Sequence, residues 1–219
     1  MKKINWAEKI LELVVVVVGI LIAFALNNFA QNRKDARQER QHLAGIRADL
    51  VQDSLDLSAA TQHLRERIKI GERVIPMMYN EEIPERDSAF AYIFRDMTSY
   101  EPFVPNSSTF DALRYSGSLN GISDFDLRGK LVSHYDRYKI LDFENTRSYI
   151  FTTEVVNPYM MNEIPFEKLR FGYDDYLEDY RLRNIVFAWT GIYQLQIKAH
   201  EEALQRCRMM IEATERAPE

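Results

Sequence analysis

A single cysteine, Cys207, is all the thiol chemistry in 219 residues. That excludes an intramolecular disulfide framework and any zinc site built from several cysteines. Flanked by Arg206, Arg208 and Met209, it reads as a packing residue on a helix face. Backbone breakers are scarce as well, with eight glycines and seven prolines, which favours long helices. The net charge of −5 lacks the positive footprint of a nucleic-acid binder. The four histidines, His42, His63, His134 and His200, are too dispersed to pair as ligands from one helical turn. His200-Glu201-Glu202 starts like a zinc-protease helix, but Leu204 stands where the second ligand is required. Ser116-Gly117-Ser118 lacks the flanking glycines of a nucleophile elbow, and a helix stop accounts for it. Asp174-Asp175 with Glu178-Asp179 lacks the glycine and the alternating ligands of a calcium loop. It fits a helix amino terminus, where negative charge is favoured. With no phosphate-cradling glycine loop either, the expectation is a non-enzymatic chain without cofactor or metal.

What the chain does have is one long apolar run. Leu13 to Leu26, LVVVVVGILIAFAL, is fourteen residues without a charge. As a helix it would rise about 21 Å, short of a hydrocarbon core of about 30 Å. Extension from Ile10 to Ala30 reaches the required length and places Glu12, Asn27 and Asn28 near the ends. Trp6 and Phe29 then flank the span, where aromatic rings favour the interface, and Lys9 can snorkel. The anchor is read on Ile10, Leu13, Val16, Gly19, Ala23 and Leu26, with Gly19 and Ala23 as small residues able to admit a neighbouring helix. Two other readings compete. Lys2-Lys3 and Ala23-Phe24-Ala25 resemble the start and the cleavage site of a signal peptide, although Glu8 and Glu12 crowd the basic region. A buried core helix would have to bury a near-unbroken valine run in a polar chain. Lys2, Lys3 and Lys9 nearly balance Arg33, Lys34, Arg37 and Arg40 across the span, so the positive-inside rule is almost tied. A short amino-terminal tail ahead of one span suits an anchor with the body outside.

The organisation expected is a tail over 1–9, a membrane helix over 10–30, a stalk or bundle helix over 31–75 and a helical bundle over 76–219 that packs on it. Leu43, Leu50, Leu57 and Leu64 recur every seven residues with Ile46 and Ala60 as companions, interrupted by Asp53 and Arg67. The row suits either a coiled coil between subunits or the core face of a helix in one bundle. Asp87 to Met97 predicts a short amphipathic helix through Phe90, Ile93 and Phe94. Ser107 or Ser108 is the expected cap of a helix from Thr109-Phe110 to Ser116-Gly117. Ser123-x-x-Asp126 is a variant capping box for a helix carrying Leu127, Leu131, Tyr135, Tyr138 and Leu141, stopped at the latest by Pro158 or Pro165. A last helix spans about Tyr176 to Thr214. The fold class is therefore all-α, an antiparallel bundle with a broken middle.

Two clusters qualify as ligand contacts. Tyr173, Tyr176 and Tyr180, with Arg114, suit a groove for a small ligand, although core and surface packing is the better account of the tyrosines. Arg114 and Arg128 suit an anion site, against a structural role in which Arg128 pairs with Asp111 or Asp124.

Two stretches carry a family resemblance. One is Glu12, then Val16-Val17-Val18-Gly19-Ile20-Leu21-Ile22-Ala23, then Asn27-Asn28-Phe29. The other is Ser108-Thr109-Phe110-Asp111-Ala112-Leu113 with Ser116-Gly117-x-Leu119, Ile122, Leu127-Arg128-x-x-Leu131 and Tyr135. In these the chain resembles the domain of unknown function 6090 family, bacterial proteins with one amino-terminal membrane helix. Phe29, where the family more often has Trp, and the short basic tail depart from the pattern. The resemblance implies a single-pass protein of the bacterial cytoplasmic membrane and no activity. The expected partners are the lipid bilayer and either a second copy or another membrane protein.

Overall fold

The computed structural model describes residues 6–80, 82–83, 88–97, 102–165, 167 and 175–216, leaving aside the side chains of 6–8, 90, 96, 97, 175 and 176. Among them there is no strand; the architecture is all-α. Helix α1, Trp6–Met77, is 72 residues long, about 108 Å at 1.5 Å per residue. The apolar run and the heptad row are thus one uninterrupted helix. Bonds from Gln31 to Asp35, Gln52 to Asp56 and Gln62 to Glu66 line its outer faces at i,i+4, a spacing that supports a solvated helix.

Beyond α1 lie α2 (Ala89–Ala91), running into a π-helical turn Tyr92–Met97, then α3 (Ser108–Ser116) and α4 (Phe125–Ile150). A π-helical stretch Phe151–Val156 joins α4 to α5 (Asn157–Glu163), and a 3-10 turn Asp175–Glu178 precedes α6 (Tyr180–Glu215). Helix α6 packs along α1 and also against α4. It runs antiparallel to α1, as the ion pairs Arg47–Glu215 and Arg65–Glu201 show. The heptad row is buried within this single chain: Ile46, Leu50 and Leu57 are fully covered. They share a core with Phe110, Leu131, Leu141 and Cys207. A second core farther along α1 gathers Leu64, Val74 and Ile93 around Trp189 and Leu182.

Several local expectations need correction. Ser123 does not cap α4; Asp124 does, accepting from the backbone N–H groups of Asp126 and Leu127, while Ser123 turns to Glu39 of α1. Asp makes this cap well because its carboxylate reaches two orphan N–H groups at once. Ser107 sits at the cap position of α3 without a capping bond; its hydroxyl donates to Asp111. The short helix expected over 87–97 is mostly a π-helical turn, with Ile93 buried. Its residue 87 and the side chains of Phe90 and Met97 lie outside the described residues. The last helix begins at Tyr180 rather than Tyr176, capped by Asp179. As expected, α3 stops at Gly117, whose φ of 74° is left-handed and suits glycine.

One glycine marks a close helix crossing. A Cβ on Gly45 of α1 would stand 2.9 Å from the Thr109 methyl of α3. Thr109 is β-branched and stiff at χ1, so it cannot yield easily. Gly45→Leu should cost about 2 kcal/mol through overpacking, read as a lowered urea midpoint. Gly19→Leu, at a glycine with no neighbour within 4 Å, should leave that midpoint unchanged.

Candidate functional site

Three carboxylates on α1 grip the segment that crosses it. Glu39 accepts from the backbone and hydroxyl of Ser123 at 2.7 and 2.9 Å. Asp49 accepts from the backbone N–H of Thr109 at 3.1 Å, in the first turn of α3, where a helix presents partial positive charge. Asp53 is the deepest. Its Oδ1 accepts from the backbone and side-chain amides of Asn106 at 2.7 and 2.9 Å, and its Oδ2 accepts from the Tyr138 hydroxyl of α4 at 2.6 Å.

Tyr138 extends this contact into a buried relay. A hydroxyl donates once and accepts twice, and its proton is committed to Asp53. His134 Nε2, 3.0 Å away, must therefore carry a proton and donate it, while Nδ1 has no partner. The Cys207 thiol at 3.3 Å fills the remaining position. Burial, aided by nearby Arg206, pushes His134 down to about 4. Burial pushes Cys207 up to about 11, so the thiol stays protonated and weakly nucleophilic at neutral pH. Burial also raises Asp53, opposed by its bonds from Tyr138 and Asn106. His200 of α6 is buried with both ring nitrogens unpartnered, edge-on to Phe103 at 6.2 Å; burial lowers it to about 4.

Above the relay lies an open groove of about 760 Å³ between the 102–107 segment, α3 and α4. Phe103, Phe110, Tyr135, Tyr138 and Tyr149 give it an aromatic lining, and Arg114 stands in its wall. Phe110 and Tyr135 stack with centroids 4.1 Å apart. Among the described residues no three His, Cys, Asp or Glu side chains meet so as to hold a metal ion.

The sequence candidates are dispersed. Arg114 reaches Asp136 at 3.7 Å. Arg128 donates to the carbonyls of Asn120 and Ile122 and lies over the Phe125 ring. It pairs with neither expected acid, because Asp111 is taken by Ser107 and Asp124 by the α4 amino terminus. Arg128 does not line the groove that Arg114 lines. Tyr180 is exposed at the start of α6; Tyr173 and the side chain of Tyr176 lie outside the described residues. The residues on which the sequence places an anchor, Ile10, Leu13, Val16 and Leu26, are 58 to 64% exposed, and Gly19 and Ala23 share that uncovered stretch. Among the described residues one helix is long and apolar enough to cross a membrane, with mean hydropathy 2.7 in its most apolar window and none of that window buried. The relay residues were missed, yet Asp53 left a trace as an acid in an otherwise apolar heptad row.

A family model described as a family of unknown function, DUF6090, matches residues 12–188. No curated protein matches the chain, and no solved structure does.

Proposed function

The chain belongs to the DUF6090 family, and from that premise we propose a non-enzymatic, single-pass protein that acts through protein contact, by self-association or with another membrane protein. In this reading α1 crosses the bacterial cytoplasmic membrane and holds the helical body on the extracytoplasmic side, an orientation that a reporter fused to the carboxyl terminus tests. The observation that carries the reading is an uncovered apolar stripe on α4. Ile140, Phe143 and Ile150 are 44, 59 and 45% exposed, and with Arg147 they recur at i, i+3, i+7 and i+10, which is one helix face. Arg147 lies over the Phe143 ring at 5.0 Å, giving the stripe a charged edge. Aromatic and arginine side chains of this kind anchor interfaces. Phe143→Cys in intact membranes should cross-link to a second copy or to a membrane partner, since the native Cys207 is buried. Adding Ile140→Asp and Ile150→Asp should reduce that adduct at least about tenfold, the loss expected from about 1.4 kcal/mol. A strict monomer with no adduct would overturn the reading.

A second reading, a sensor-like bundle that binds a small ligand, is favoured by the aromatic groove. Its volume of about 760 Å³ falls in the range typical of ligand sites. It would use Arg114 and the Phe103 ring. A metabolite that raises the melting temperature of the natural chain and not of Phe103→Ala would support it.

A further inference from the structure

Immediately past the apolar run, α1 changes character in a way that only the packed structure makes directional. Arg33, Lys34, Arg37 and Arg40 surround Ala36, and their side chains line one shallow concavity. At about 100° per residue these four fall within about a third of the helix circumference. The core residues Leu43, Ile46 and Leu50, which follow on the same helix, fall on the opposite side. The two acids interspersed among the cations are on that other side too. Glu39 is engaged by Ser123 of the body, and Asp35 accepts from Gln31. The cations are left with one face to themselves. Arg33 lies over the Phe29 ring at 4.6 Å. Among the described residues Lys34, Arg37 and Arg40 have no acidic side chain at ion-pair distance.

Position supplies the occupant. If the span ends near Ala30, Arg33 lies about 5 Å and Arg40 about 15 Å farther along the axis. The headgroup zone occupies about 5 to 7 Å on each side of the hydrocarbon, and the Debye length adds about 8 Å at physiological ionic strength. All four cations therefore lie where the surface charge of a membrane is felt. Arginine forks and lysine ammonium groups both bind phosphate.

We infer that this basic face of α1 is a docking surface for the anionic phospholipid headgroups of the leaflet from which the helix emerges. It fixes how deep α1 sits and which way the body faces. The inference rests on α1 spanning the bilayer. With the basic face held against headgroups, the carboxylate side of the helix and the body attached to it turn away from the anionic surface, which like-charge repulsion also favours.

The test uses the full chain in nanodiscs holding equal amounts of phosphatidylglycerol and phosphatidylcholine. The lipids retained on release are counted by native mass spectrometry. Phosphatidylglycerol should be enriched about fivefold or more over phosphatidylcholine, as expected from one to a few cations near the surface. Arg33→Gln, Lys34→Gln, Arg37→Gln and Arg40→Gln together should bring the ratio close to parity. Arg33→Lys, Arg37→Lys and Arg40→Lys together should restore most of it. Absence of enrichment in the natural chain overturns the inference, and so does enrichment that survives neutralisation. A chain that fails to enter the disc overturns the spanning helix as well, whereas insertion without lipid preference removes the headgroup surface alone.

Discussion

Asp53→Ala should destabilise the helical body by about 3 kcal/mol, a fall of about 10 °C in melting temperature for a body of this size. Asp53 is fully buried and accepts three hydrogen bonds, from the two amides of Asn106 and from Tyr138. Truncation takes their acceptor from all three donors, and each one that stays out of water without a new partner costs about 1 to 3 kcal/mol. Because the donors belong to the 102–107 segment and to α4, the loss loosens both from α1. Asp53→Asn keeps one carbonyl oxygen for Asn106 and should cost about half as much. Tyr138→Phe removes one of the three bonds, and its effect should shrink in the Asp53→Ala background, since the two side chains share a contact. Melting followed through the buried Trp189 in detergent reads all four variants. An Asp53→Ala change within about 0.5 kcal/mol, the range of ordinary surface substitutions, would show that Asp53 does not hold these elements together.

Acid should unfold the body early, between pH 6.5 and pH 4. His134 and His200 are held near 4 by burial, against about 6.5 in an unfolded chain. Over that interval the unfolded state binds protons that the native state refuses, so stability falls as pH falls. The contribution is fully present above the unfolded value and is lost toward the folded one. From pH 7.5 to pH 4.5 each histidine should remove about 2.5 kcal/mol. Asp53 acts in the opposite sense. Its raised pKa lets the native state keep a proton that the unfolded chain has lost, and that contribution disappears as pH rises through the folded value. It therefore offsets part of the histidine effect at the acid end. Urea midpoints across this range measure the slope. His200→Leu replaces an unpartnered ring beside Phe103 with an apolar side chain and should remove about half of it. A midpoint that does not move between pH 7.5 and pH 4.5 would refute the buried neutral histidines.

The two predictions probe residues that the sequence presented very differently. His134 stood in the sequence only as one of four dispersed histidines, and nothing nearby named Asp53 or Cys207 as its neighbours across Tyr138. Asp53 was legible only as a flaw in a heptad row. Arg67, the other flaw, is also buried, with its guanidinium 5.9 Å from the Tyr193 ring centre. In both cases periodicity located the position and not its partner, because the partner comes from a helix more than eighty residues away or on α6. The Ser123 cap failed for the same reason in reverse. A local motif predicted a local bond, and a carboxylate from α1 competed for that serine. Gly117 shows the opposite case, where a left-handed stop needs only its own backbone and was legible directly.

By itself the sequence determined the long apolar run, the all-α class, the heptad face of α1 and the stop at Gly117. Each of these depends on residues within a few turns of one another, where apolar density, helical period and backbone freedom act without reference to the rest of the chain. Tertiary structure alone decided that the heptad row is covered by α6 of the same chain. It also decided that three α1 carboxylates fasten the crossing segment, that an aromatic groove opens beside Tyr138, and that the cations past the apolar run share an unopposed face. Those outcomes depend on which side of a helix meets which distant partner. A buried polar group is stable only when that partner arrives with it.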